Sequence, residues 1–343
     1  MPLLVVDGNA ASRTWTLTRK AEQRIRNEAP PGWDIYFVQA QTSSDGDGPR
    51  GSSDEVMHAI PKADVYLGFG IPRPLFLAAE RLRWVHSAAA GVGNALYPEM
   101  RDGGILLTNS AGVHAIPIAE YIVASVLYFF RGLDLAVDQQ RRSEWDKQRF
   151  VGEESPLREV GGACVLVIGA GGIGSEAARR LAALGARCVG VRRRPALGAP
   201  QGFDRVIGFD AIDDEIPNAD AIVLAAPLTV ATRGILDARR LSAMKPSSIL
   251  VNVARGALVD EGELIARLRD GRLRGAALDV FQEEPLASDS PLWQLRSVLV
   301  TPHVSPVSPG CFWARELDLF LDNWRRFTRG EPLRNLVDKD AGY

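Results

Sequence analysis

Short apolar runs punctuate this chain at nearly regular intervals. In the first third they read "LLVV" (3–6), "DIYFVQ" (34–39), "ADVYLGF", "LRWVHSAAAG" and "GILLTNSAG". After the glycine pair at 161–162 a second series follows: "ACVLVIG", "ARCVGV", "RVIGF", "AIVLAAP", "SILVNVA", "GAALDV" and "VLVTP". Short apolar runs bounded by turn residues predict strands buried on both faces. Polar-faced helical spacers separate them, predicting α/β architecture with doubly wound parallel sheets. Helical patterning covers 11–28, then 115–142 as one long helix, and returns over 312–333. The stretch "QTSSDGDGPRGSSDE" (41–55) predicts a loop, and no internal repeat stands out.

The 343 residues are enough for two domains, and 46% hydrophobic content supplies two cores. Lys+Arg number 40 against Asp+Glu 42, a net charge of −2 that gives no general field for nucleic acid or an anionic membrane. The arginines of "GVRRRP" (190–195) are therefore a local feature. Cys164, Cys188 and Cys311 form no metal-ligand or CxxC spacing. Cys164 and Cys188 sit in apolar runs and are expected to be buried free thiols, which suits a reducing cytoplasm. "MPLLVVDGNA" lacks the basic start and long apolar stretch of a signal peptide, and "IVASVLYFF" is too short to span a membrane.

The first chemistry lies in "VLVIGAGGIG" (165–174), between a predicted strand and the helix "SEAARRLAALG". Gly169, Gly171 and Gly174 have GxGxxG spacing. In this context that spacing gives a tight turn, close approach of backbone to a pyrophosphate, and close helix–strand packing. Gly172 and Ile173 open the helix, whose N–H groups and dipole favour phosphate. The next strand should end in Asp or Glu to bind a ribose 2′-hydroxyl. Here it ends at Arg192, 18 residues beyond Gly174. A guanidinium attracts a 2′-phosphate, so Arg192 first and Arg193 second are expected to select NADP(H), with NAD(H) possible. A solvated basic loop is the competing reading, and Arg194 before Pro195 is expected to face solvent.

Downstream, "VNVARGALVDEGELIARL" (251–268), "GAALDVFQEEPL" (275–286) and "LVTPHVS" (299–305) occur in that order. With "AGVHAIPIAEYIVA" (111–124) they resemble the D-isomer-specific 2-hydroxyacid dehydrogenase family, over nearly the whole chain. The resemblance implies a Rossmann-type nucleotide-binding domain, 112–304, inserted into a flavodoxin-like substrate domain, 1–111 plus 305–343. It also implies a closing cleft and a homodimer with an arm at 135–160 that includes Trp145.

By the same resemblance Arg255 would hold the substrate's carboxylate and carbonyl oxygen. His303 would be the proton donor, Glu284 its partner, and Asp279 would lie near the nicotinamide. Ala226, Pro227, Thr232, Val253 and Ala254 would line the cofactor, and the backbone of Ala90, Gly91 and Val92 would meet the substrate carboxylate. The residue chemistry agrees: reducing a 2-keto acid needs a hydride donor, a proton donor and a cation for the carboxylate. Taken singly, Arg255 could be a surface ion-pair partner, Glu284 a solvated acid and His303 a loop residue. His58, His86 and His114 show no comparable partners and read as structural. After His303 this chain departs from the family's small residues with "VSPVSPG": Pro306 and Pro309 stiffen the segment and remove backbone donors. Phe312 and Trp313 read as core packing.

The expected reaction is reduction of a small 2-keto acid of the glyoxylate or hydroxypyruvate kind, with side-chain selectivity near Phe69 and Gly70. No basic cluster marks a phosphorylated substrate. The alternatives are a relative acting on phosphoglycerate, formate or phosphonate, and a non-catalytic dinucleotide-binding regulator. No metal, nucleic acid or membrane is expected.

Overall fold

The structure, a computed structural model, describes residues 1–42 and 51–342. The predicted loop at 41–55 lies partly outside them. At its described ends Thr42 bridges to Ala10, and a helix has already begun at Asp54 behind the Ser53 cap. Two compact units form, one from Met1–His114 with Val307–Tyr343, the other from Ala115–Pro306.

The first unit carries β1 (Leu3–Asp7), β2 (Asp34–Phe37), β3 (Val65–Gly68), β4 (Trp84–Ser87) and β5 (Leu106–Asn109). All pair in parallel in the order β2-β1-β3-β4-β5, the flavodoxin-like arrangement. The second unit carries β6 (Cys164–Ile168), β7 (Arg187–Val191), β8 (Arg205–Ile207), β9 (Ala221–Leu224), β10 (Ile249–Asn252), β11 (Gly275–Leu278) and β12 (Val298–Val300). Its order, β12-β11-β10-β9-β6-β7-β8, reverses direction between β6 and β9, a Rossmann-type switch point.

Period-2 alternation explains why the strands are apolar throughout. In β6, Leu166 and Ile168 join the core on one sheet face while Val165 and Val167 join the other. In the first unit Leu4 and Val6 of β1 point to one core and Val5 to the other.

Two helices differ from the sequence expectation. The first starts at Arg19 instead of 11, because the Thr18 side chain caps it by accepting from Ala21 N. The stretch 115–142 is two helices, Ala115–Phe130 and Leu133–Arg142, bent by 66°. Gly132 takes a left-handed φ of 65° there, which ends one helix and opens the next. Among the described residues no single helix is long and apolar enough to cross a membrane.

The last helix, Phe312–Arg329, buries Phe312, Trp313, Leu317, Phe320, Leu321 and Trp324 on one stripe. Each such side chain contributes about 1.5–3 kcal/mol, far more than helix propensity, so packing holds it in place. Phe312 and Trp313 are core residues, and Trp313 Nε1 donates to Trp15 O and Thr16 O. The same stripe buries Glu316, whose Oε1 lies 2.9 Å from His86 Nε2, both side chains fully enclosed. His86 thus has a carboxylate partner that the sequence did not reveal, since 230 residues separate the two. Cys188 is buried as expected, whereas Cys164 is only half-buried and Cys311 exposed.

Candidate active site

Ligands of doubly wound sheets lie at the carboxyl ends of the strands, near the switch point. In the second unit the glycine turn follows β6 there. Gly169 has φ 114°, and a Cβ on it would fall 2.5 Å from Ala225 C and Ala226 N, so only glycine lets this turn touch the loop after β9. A Cβ on Gly174 would sit 2.1 Å from Gly169 O, locking helix against turn. Gly171 differs: nothing lies within 4 Å of its would-be side chain, and it faces solvent with Gly172. The helix Gly172–Ala183 starts behind Gly171 with no side-chain cap, and Ile173 is half-buried in its first turn. Open space above uncapped helix N–H groups is the cradle a pyrophosphate needs.

At the end of β7, Arg192 is half-buried. Its backbone N–H pairs with Ile207 O, and its Nη2 donates to Gly198 O in the following turn. Its Nε is buried and has no hydrogen-bond partner. Arg193 and Arg194 are exposed.

Ala226 is buried and Pro227 exposed at the end of β9. Thr232, expected at the cofactor, is buried with its hydroxyl engaged: it donates to Pro227 O at 2.6 Å and accepts from Thr229 N at 2.8 Å. It shapes the 227–232 loop from inside.

Beyond β10 the chain turns through Val253 and Ala254, both buried, into Arg255. Asn252 closes this turn, donating to Arg255 O at 3.0 Å and accepting from Ala254 N at 3.1 Å. A Cβ on the next residue, Gly256, would overlap Phe281 C at 1.9 Å, so glycine alone allows the Arg255 turn to press against the segment leading to Glu284.

Asp279, directly after β11, is fully buried. Its carboxylate accepts from Thr301 Oγ1 at 2.6 Å, from Val304 N at 2.9 Å and from Ser305 N at 2.9 Å. Because Thr301 donates to Asp279, the Tyr121 hydroxyl 2.8 Å away must donate to Thr301. The Asp279 carbonyl accepts from His303 N at 2.9 Å. Both Asp279 oxygens are therefore engaged inside the protein. So are the N–H groups of residues 304 and 305, which leaves neither for a cofactor ahead of Pro306.

The turn so held presents His303 at φ 53°. Its Nδ1 lies 2.8 Å from Glu284 Oε2, while Glu284 Oε1 accepts from Phe281 N at 2.9 Å. A carboxylate only accepts, so Nδ1 carries the proton toward Glu284. Burial pushes the Glu284 carboxyl up. The hydrogen bonds from His303 and Phe281, with the charges of His303 and Arg255, outweigh it and hold its pKa below the ordinary range. The structure thus brings His303, Glu284 and Arg255 into one electrostatic neighbourhood.

In the first unit, Ala90 and Gly91 are exposed on the loop after β4, while Val92 has its side chain in the core. This loop lies beside Phe69 and Gly70, since Gly68 pairs with Ser87 and Ala88 N donates to Gly68 O. Phe69, Phe312, Trp313 and Trp15 pack together at this edge, and His114 stacks on Phe312 with its ring centroid 5.2 Å away. The sequence reading missed Asn252, Thr301 and Tyr121. A polar residue closing an apolar strand, as in "VNVARG", was the only local signal for the first.

Residues 123–305 match the model of the D-isomer specific 2-hydroxyacid dehydrogenase NAD binding domain. D-3-phosphoglycerate dehydrogenase of Methanocaldococcus jannaschii is 35% identical over 84% of this chain and 54% of its own length. The chain thus spans about half the length of that relative. A D-isomer specific 2-hydroxyacid dehydrogenase from Xanthobacter autotrophicus Py2, solved with NADPH and MES, superimposes with a TM-score of 0.78. It has 28% identity, over 100% of this chain and 99% of the other. The NADPH-dependent glyoxylate/hydroxypyruvate reductase of Sinorhizobium meliloti, solved with NADP and sulfate, gives 0.76 and 25%, with both chains covered at 100%. The chain belongs to the D-isomer specific 2-hydroxyacid dehydrogenase family.

Glu284 has a folded pKa below its unfolded one, so its stabilisation is full above the ordinary value of 4.5 and is lost as pH falls through the lowered value. Glu284→Gln is expected to melt roughly 2–4 °C below wild type at pH 7. Melting curves taken downward from pH 7 should show that gap constant above about pH 4.5 and narrowing progressively below it.

Proposed function

We propose that the protein is an NADP(H)-preferring oxidoreductase that reduces C2 of a small 2-keto acid, of the glyoxylate or hydroxypyruvate kind, to the D-2-hydroxy acid. The observation that carries this reading is the His303–Glu284 pair, 2.8 Å apart, with the Arg255 charge acting on the same carboxylate. When bound, NADPH supplies the hydride. His303 Nε2 gives the proton to the carbonyl oxygen, and Glu284 orients the ring and favours its charged form. Arg255 binds the substrate carboxylate with its forked donors and stabilises negative charge growing on the carbonyl oxygen. Within the first unit, the N–H groups of Ala90, Gly91 and Val92 are the candidates for a substrate carboxylate.

The dinucleotide fits the second unit. The open face of Gly171 and the uncapped helix start would take the pyrophosphate, with Gly169, Gly172, Ile173 and Gly174 shaping the turn. Ala226, Pro227, Val253 and Ala254 would line its path, with Asp279 and Thr232 supporting from behind. The Arg192 guanidinium at the end of β7, with exposed Arg193 beside it, stands where a strand-end acid would bind the ribose 2′-hydroxyl and is the candidate partner for the 2′-phosphate of NADP. The related proteins from X. autotrophicus and S. meliloti were solved with NADPH and NADP, which favours the same assignment. A small acyl group fits because aromatic packing fills the edge beside the 88–92 loop. A homodimer is also part of the proposal. Trp145 is 90% exposed and Val151 72% in the arm expected at the interface.

Four outcomes check this reading. Purified protein should oxidise NADPH faster than NADH across a panel of 2-keto acids, and His303→Gln should lower turnover about 10²–10⁴-fold with folding intact. Arg192→Asp should weaken NADPH about 10- to 100-fold and spare NADH, read from KM for each cofactor. Trp145→Asp should shift the mass measured by light scattering from dimer to monomer at micromolar concentration.

A further inference from the structure

The 88–92 loop is shaped by its carbonyls. Ala89 O accepts from Ser110 N at 3.2 Å, and Ala90 O accepts from Asn109 Nδ2 at 2.8 Å. In a trans peptide the N–H points opposite to the C=O. Pinning these two carbonyls toward the end of β5 therefore turns the N–H groups of Ala90 and Gly91 the other way, side by side. Asn109, a buried side chain, is the pivot: its Oδ1 also accepts from Ala111 N at 3.2 Å, which fixes the amide's orientation.

Asn109 is itself held by the C-terminal tail. Asn109 N donates to Asn335 O at 3.2 Å, while Asn335 Nδ2 donates to Asn109 O at 3.1 Å and to Ala111 O at 2.8 Å. Asn335 takes a left-handed φ of 52°, tolerable for asparagine, which lets one side chain reach both carbonyls. The tail is anchored on either side of it. Buried Asn323 pairs with Arg334 through both N–H and C=O, Leu336 bridges Thr108 antiparallel, and Lys339 Nζ donates to Gly103 O and Ile105 O.

We propose that Asn109 and Asn335 are positioning residues for substrate binding, through which the C-terminal tail sets the aim of the Ala90 and Gly91 N–H groups. The proposal rests on the reading of residues 90–92 as the carboxylate loop. Neither asparagine touches the substrate. Each acts on affinity for the keto acid and leaves the chemistry of His303 and the dinucleotide site alone.

The test compares wild type with Asn109→Asp, Asn335→Asp and Asn335→Gly. In each aspartate variant a carboxylate oxygen replaces the amide donor and faces carbonyl oxygens. Asn335→Gly keeps the left-handed backbone at low cost and removes the side-chain donors. All three should raise KM for glyoxylate about tenfold or more, with kcat within about threefold, the pattern of lost uniform binding. NADPH affinity, read by fluorescence titration without substrate, should stay within about twofold of wild type. Hydrogen exchange should quicken at the Ser110 and Ala111 amides. Wild-type KM in the variants overturns the proposal, as does an Asn335→Gly that behaves as wild type, which would leave only a backbone role. Equal losses of melting temperature, NADPH affinity and turnover overturn it too, since they mark general destabilisation. Absence of wild-type turnover on any 2-keto acid sinks the functional reading. The Ser110 and Ala111 exchange rates then decide whether the clamp holds the loop.

Discussion

The buried carboxylate of Asp279 is the contact on which the turn that presents His303 depends. It accepts three hydrogen bonds, from Thr301, Val304 and Ser305, while its own carbonyl holds His303 N. A left-handed residue other than glycine costs about 1–2 kcal/mol. Hydrogen bonds to a charged group contribute about 1.5–3 kcal/mol each, so the three together outweigh that strain. The result is a histidine held at φ 53° with its Nδ1 on Glu284, and a following segment whose first two N–H groups are already engaged.

The same logic, a polar group closing the end of an apolar strand, recurs around both sheets. Asn252 closes the turn after β10 that carries Arg255. Asn109 closes β5 and holds the carbonyl of Ala90. A parallel sheet buried on both faces leaves its strand ends as the only places where backbone groups need new partners. Short polar side chains satisfy those groups, and in doing so they aim the loops. Where a strand end lacks such a closer, as at Gly171, the unsatisfied N–H groups and open space are what a phosphate would use.

Much of the fold was readable from pattern. Continuous apolar runs with helical spacers announced all twelve strands among the described residues, and GxGxxG marked the turn after β6, because those signals are local. The helix from 115 was not read as broken, because its apolar pattern runs on through Gly132, and only a left-handed φ there shows the 66° bend. That the Thr232 hydroxyl ties Pro227 to Thr229 inside its loop was not legible in the sequence, because the bond depends on how the loop folds. Arg192 was singled out as the departure from an acidic strand end. That its guanidinium is tied to the Gly198 carbonyl appears only in the folded turn.

The sequence by itself determined the two sheets, the glycine turn and the order of the candidate side chains, since each depends on spacing along a few residues. Tertiary structure decided which polar groups meet. Glu284 and His303 are 19 residues apart, Asp279 and Ser305 are 26, His86 and Glu316 are 230, and Asn109 and Asn335 are 226. Such pairs carry no periodic signature, because nothing about one partner constrains the spacing to the other until the sheets have packed. The hydrophobic pattern settles where the strands go, and the close fit of their ends then selects the hydrogen bonds that aim the chemistry.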